Sequence, residues 1–166
     1  MKNTIKLEED ETLQFEILNK EGNPTGEYLE FNLNDISLPL KYRDLVLKDK
    51  ENKTNFRKDV MIVNKKQDVK IKGDPLSKNE VEIFELNKKY INKEVEIYNI
   101  FLGENGVQKL LNGRPLGWDT FDKIDKLIET NIVPLLNKYS ASLEDMIKNK
   151  YSDNKEEELI WIIQHM

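Results

Sequence analysis

Residues 77–103 read Ser77-Lys78-Asn79-Glu80-Val81-Glu82-Ile83-Phe84-Glu85-Leu86-Asn87-Lys88-Lys89-Tyr90-Ile91-Asn92-Lys93-Glu94-Val95-Glu96-Ile97-Tyr98-Asn99-Ile100-Phe101-Leu102-Gly103. The first four residues have the form of a capping box. A Ser oxygen there takes a free backbone N–H while the Glu three places on reaches back to another. Behind it Val81, Phe84, Ile91, Val95, Tyr98 and Leu102 recur at three- and four-residue steps, with Lys88 filling the one gap. A second stripe of Ile83, Leu86, Tyr90, Ile97 and Phe101 lies beside the first. Two adjacent stripes predict a helix with a wide apolar face, central to a bundle. Gly103 predicts its end in a left-handed cap.

Upstream, apolar and polar residues alternate twice. Leu13, Phe15 and Ile17 oppose Gln14 and Glu16; Leu29, Phe31 and Leu33 oppose Glu30 and Asn32. A period of two marks half-buried strands. The turn-rich residues 19–27 between them predict a β-hairpin, and a lone hairpin needs its apolar face covered. Pro39 near a first turn opens a helix with Leu40, Leu45, Val46 and Leu47 as a short stripe. Residues 48–58 have no sustained period and are expected to be loop or frayed helix. Residues 60–63 and 69–71 fit short strands or part of a helix equally.

Downstream, residues 103–118 predict a one- or two-turn helix bracketed by glycines. Asp119 is expected to cap a further helix along Phe121, Ile124, Ile128, Ile132, Leu135 and Tyr139, broken or kinked at Pro134. Ser142-x-x-Asp145 and Asp153-x-x-Glu156 predict two shorter helices after it. The expected fold is α+β and mostly α-helical, an N-terminal β-hairpin packed on a helical core. Residues 1–139 form the hairpin-plus-helices domain, with a basic segment at 48–76, and residues 140–166 a C-terminal helical extension.

Composition narrows the chemistry. The 166 residues include no cysteine, which excludes disulfides, thiol catalysis and Cys-ligated zinc. Charged residues make up 34%, against roughly 25% in ordinary domains. No run approaches the roughly 20 apolar residues of a membrane helix. The acidic start of the chain has no signal-peptide stretch, so a cytoplasmic protein is expected. Phosphate-loop, dinucleotide, zinc-protease and calcium-loop patterns are missing. His165 is the only imidazole and stands next to the last residue, a poor place for catalysis. The acidic runs 8–11 and 156–158 read as solvated faces. No enzyme activity, metal or cofactor is expected.

Two segments are candidates for partner binding. Residues 41–72 hold eleven Lys or Arg against five Asp or Glu, within a chain of net charge −5. That is either a basic arm for nucleic acid or a solvated connector, and its two arginines and two aromatics favour the connector. Leu159, Ile160, Trp161, Ile162 and Ile163 are five consecutive large apolar residues. They form either a partner surface or a terminal helix locked into the core.

The stretch Ile97-Tyr98-Asn99-Ile100-Phe101-Leu102-Gly103-Glu104-Asn105-Gly106-Val107-Gln108-Lys109-Leu110-Leu111-Asn112-Gly113-Arg114 resembles a segment of the tail assembly chaperones of long-tailed bacteriophages infecting low-GC Gram-positive hosts. These proteins likewise show an apolar helix ending in Phe-Gly-Glu-Gly, a short Lys-Leu turn and a Gly-Gly or Asn-Gly step before a closing helix. The hairpin followed by Ile36-Ser37-Leu38-Pro39-Leu40 is similar to their opening. The resemblance spans about residues 11–47 and 77–139; the basic segment 48–76 is longer than the family pattern, and 140–166 have no counterpart in it. It implies a non-enzymatic protein of the host cytoplasm that keeps the helical tape-measure protein soluble during tail assembly. The tail-tube protein is a second implied partner, and homo-oligomerisation is left open. A nucleic-acid-binding or regulatory phage protein using 41–72, or a tail completion or connector protein, are the rival expectations.

Overall fold

The computed structural model describes residues 5, 7, 12–135 and 148–150. Strands β1 (Thr12–Leu18) and β2 (Pro24–Asn32) pair antiparallel, with Leu13 opposite Phe31 and Phe15 opposite Leu29. The turn is shorter than the expected 19–27, because Asn19 gathers it in. Its Oδ1 accepts from the Glu21 and Asn23 N–H groups at 3.0 and 2.9 Å. A bulge between Glu16 and Leu18 follows, with the Thr25 hydroxyl donating to the Ile17 carbonyl at 2.8 Å.

Helix α1 runs unbroken over Leu38–Asn64, so residues 48–58 are neither loop nor frayed end and 60–63 are not a strand. Its inward positions are Leu38, Tyr42, Leu45, Asp49, Asn52, Phe56, Asp59 and Val63, alternating steps of four and three. That 3.5-residue spacing is the seam of a helix pair. Leu40 and Leu47, expected in an apolar stripe, face outward.

Helix α2 (Lys78–Leu102) returns antiparallel to α1 along a matching seam of Ile83, Asn87, Tyr90, Glu94, Ile97 and Phe101. The capping box is formed. Ser77 Oγ accepts from the Glu80 N–H at 3.2 Å, and the Ser77 N–H donates to Glu80 Oε2 at 2.7 Å. Ser77→Ala is expected to cost about 1 kcal/mol, read as a lower urea midpoint at unchanged slope. At the connection, Asn79 Nδ2 donates to the carbonyls of Val63 and Lys66, closing the carbonyl end of α1.

Gly103 ends α2 with φ 93° and ψ 175°, a positive φ but an extended ψ rather than the expected left-handed cap. Helix α3 (Gly106–Leu111) then packs so closely that a Cβ on Gly106 would lie 2.5 Å from Leu102 Cβ. Asn99 Oδ1 holds it there by accepting from the Val107 N–H at 2.8 Å. Helix α4 (Trp118–Leu127) starts from Gly117, whose N–H donates to Thr120 Oγ1 at 3.3 Å. Asp119 therefore sits inside the first turn instead of capping it. Its carboxylate favours the positive end of the helix dipole from there.

Beyond α4, residues Ile128–Ile132 widen into a π-helical turn and Val133–Leu135 tighten into a 3₁₀ turn. Pro134 explains the break: it has no N–H to donate and its ring crowds the carbonyl four places back. The hairpin, all four helices and this turn share one core. Phe31, Phe101 and Tyr42 stack in series at centroid distances of 5.3 and 5.4 Å, tying β2 to α2 and α1. Among the described residues no helix is long and apolar enough to cross a membrane.

Candidate functional site

The seam between α1 and α2 is polar at its centre, where ionisable groups collect. Asn52 Nδ2 donates to the Tyr90 carbonyl at 2.9 Å and to Glu94 Oε2. Lys53 Nζ lies 2.9 Å from Asp49 Oδ1 and 3.8 Å from Asp122 Oδ1 of α4. The Tyr98 hydroxyl donates to Asp125 Oδ1 at 2.6 Å. Lys150 Nζ reaches Asp125 Oδ2 at 3.1 Å and Glu129 Oε1 at 3.3 Å. Farther along the seam, the Tyr90 hydroxyl donates to Asp59.

Glu94 is 0% exposed and its carboxyl is hydrogen-bonded to that of Asp49. Two ionised carboxylates cannot make that contact, so the pair holds a proton. Burial first, and then Asp49, push Glu94 up to about 9, which assigns the proton to Glu94. Burial works against ionised Asp49, but the Glu94 hydrogen bond and Lys53 outweigh it and hold the carboxyl below its ordinary range. Asp125 is pushed up, chiefly by burial. Burial would lower Lys150, yet Asp125 and Glu129 more than compensate and raise it.

A shifted carboxyl pair beside a tyrosine is the kind of cluster that catalytic sites contain. Here Asp49 and Asp122 share Lys53, Asp125 and Glu129 share Lys150, and both Glu94 and Tyr98 are wholly covered. Such a set meets in one register only, because sliding α1 past α2 would strand Asn52 and Asp49 against apolar side chains. The cluster positions α1, α2 and α4 against one another. Among the described residues, no group of three or more His, Asp or Glu is arranged to hold a metal ion.

The surface offers a second candidate. Of the first α2 stripe, Ile91 and Val95 pack on the core, while Val81 is 41% and Phe84 58% exposed. Helix α4 is the reason. Trp118, its first residue, stacks 5.0 Å from Phe56 and donates its indole N–H to Asn87 Oδ1 at 3.0 Å. Running from there toward the α2 C-terminus, α4 covers about 15 Å of a helix roughly 38 Å long. Val81 and Phe84 lie beyond its end. Ile62, Val69 and Ile71 are exposed at the same outer end of the helix pair.

Leu159, Ile160, Trp161, Ile162 and Ile163, with His165 and the two acidic runs, lie outside the described residues. The basic segment 41–72 is brought onto α1 and the connection after it. There Lys41, Arg43, Lys53 and Lys66 each pair with a carboxylate. The exposed half-stripe was present in the sequence spacing, but its lack of cover depends on where α4 begins, which local spacing does not encode. No family model matches the chain, and neither a curated protein nor a solved structure does so.

Proposed function

We propose that the chain is a non-enzymatic assembly chaperone that holds an apolar helical segment of a partner against the outer half of the α1/α2 pair. The partner class is a tape-measure protein, in line with the resemblance to phage tail assembly chaperones. The observation that supports this reading is the exposure of Phe84 and Val81 on the stripe that α4 covers only in part. A third helix laid along that stripe would continue the packing α4 begins, with anchors at helical spacing. Dense charge elsewhere keeps the free chaperone in solution, and a shallow surface lets the partner go again.

Co-expression with a tape-measure protein tests it. Val81→Asp combined with Phe84→Asp is expected to abolish co-purification, while the melting temperature stays within about 2 °C because both side chains are already exposed. Co-purification that survives this change removes the surface. Trp161→Ala with Ile163→Asp, in a separate arm, tests whether residues 159–163 add to it. Loss in that arm alone would move the partner site there.

A further inference from the structure

A groove of about 390 Å³ lies between α3 and α4, on a different part of the molecule from Phe84. Its floor is apolar, made by Leu110 and Leu111 of α3 with Ile124 and Leu127 of α4. Arg114 and Lys123 stand at its rim, with Asp119 and Thr120. Asp119 is matched to the positive end of α4. Neither Arg114 nor Lys123 has an ion-pair partner among the described residues, so both charges are open to a ligand.

We infer that this groove takes a peptide segment in which carboxylates neighbour large apolar side chains. Two features select that occupant. The volume is at the low end of ligand sites, enough for one or two big side chains. The groove is also half open to solvent, which suits a peptide that inserts side chains and leaves its backbone outside better than a small molecule that needs enclosing. The floor accepts the apolar residues, and the two unmatched cations select acidic neighbours over basic ones. Rim charges of this kind act on capture rate and discrimination, with the apolar anchor supplying the hold. The inference is independent of the chaperone reading: Val81→Asp with Phe84→Asp leaves this groove untouched.

The test uses the full chain and two fluorescein-labelled synthetic peptides, one alternating Glu and Leu around a single Trp, the other with Lys for every Glu. Fluorescence anisotropy is expected to show saturable binding of the Glu peptide, weakened by added salt. Arg114→Glu with Lys123→Glu should weaken it roughly tenfold and favour the Lys peptide instead. Arg114→Gln with Lys123→Gln guards against a folding artefact and should fall between the two. Absent binding, equal binding of both peptides by the unaltered chain, or indifference to charge reversal would each overturn the inference. So would recruitment to phosphatidylglycerol vesicles without peptide binding.

Discussion

Glu94→Gln is expected to stabilise the chain at pH 7 by on the order of 3 kcal/mol, a large gain for a single substitution. The folded chain keeps a proton on Glu94 up to about pH 9, whereas the unfolded chain releases it near its ordinary value of 4.5. Between those limits the folded state binds one more proton, so stability declines with rising pH by about 1.4 kcal/mol per unit. Below 4.5 the contribution is complete, and above about 9 it is gone. Glutamine has the shape of the protonated acid: its amide N–H can donate to Asp49 and its oxygen can accept from Asn52. The variant should therefore lose this part of the slope. Urea titrations of both chains at several values between pH 5 and 9 measure the difference directly. Other shifted groups, such as Asp35 with its carboxyl lowered to about 2 by Lys41 and Ser37, act alike in both chains and cancel. Parallel stability–pH curves for the two chains would show that Glu94 does not hold the proton.

Phe121→Ala is expected to cost about 3–5 kcal/mol, a large share of the roughly 5–15 kcal/mol typical of a domain. The ring is 0% exposed and lies 5.1 Å from Tyr98 and 6.4 Å from Trp118. It is the wedge by which the ten-residue α4 grips the helix pair. Removing it opens a cavity and also loosens the helix that brings Asp122 and Asp125 to their partners. Denaturant unfolding gives the magnitude. Hydrogen exchange gives the place: faster exchange in α4 than in β1 and β2. A loss below 1 kcal/mol would mean that α4 is held by its ion pairs instead.

The hairpin and α2 could be read from their residues because each has one dominant period. Alternation at 13–17 and 29–33 has no helical explanation, and the paired stripes of α2 have no strand explanation. Helix α1 was hidden by the chemistry of its seam. Positions 49, 52 and 59 are Asp, Asn and Asp, so the apolar signal after Leu45 is left to Phe56 and Val63 alone although the spacing continues. What compensates them is the carboxyl, hydroxyl and backbone of Glu94 and Tyr90, some 30 to 45 residues away. A local window does not reach that far. Helix α4 starts two residues before the point that Asp119 predicts, for a smaller reason: Asp119 is a good cap, but Thr120 on the Gly117 N–H is the cap that forms. The candidate surface was half legible. The spacing of Val81 and Phe84 is present in the sequence, while their exposure follows from the shortness of α4.

That shortness has a mechanical side. Past Asn87 the helix pair has no α4 on its flank and stands as a cantilever fixed at its root by Phe101, Tyr42 and Phe31. A cantilever anchored this way is expected to fray from its outer end inward, where only the Ser77 box and the Asn79 bonds hold it, with the root opening last. Anything clasped along the outer half would stiffen the free end while leaving the root as it was, and letting go would restore the fraying.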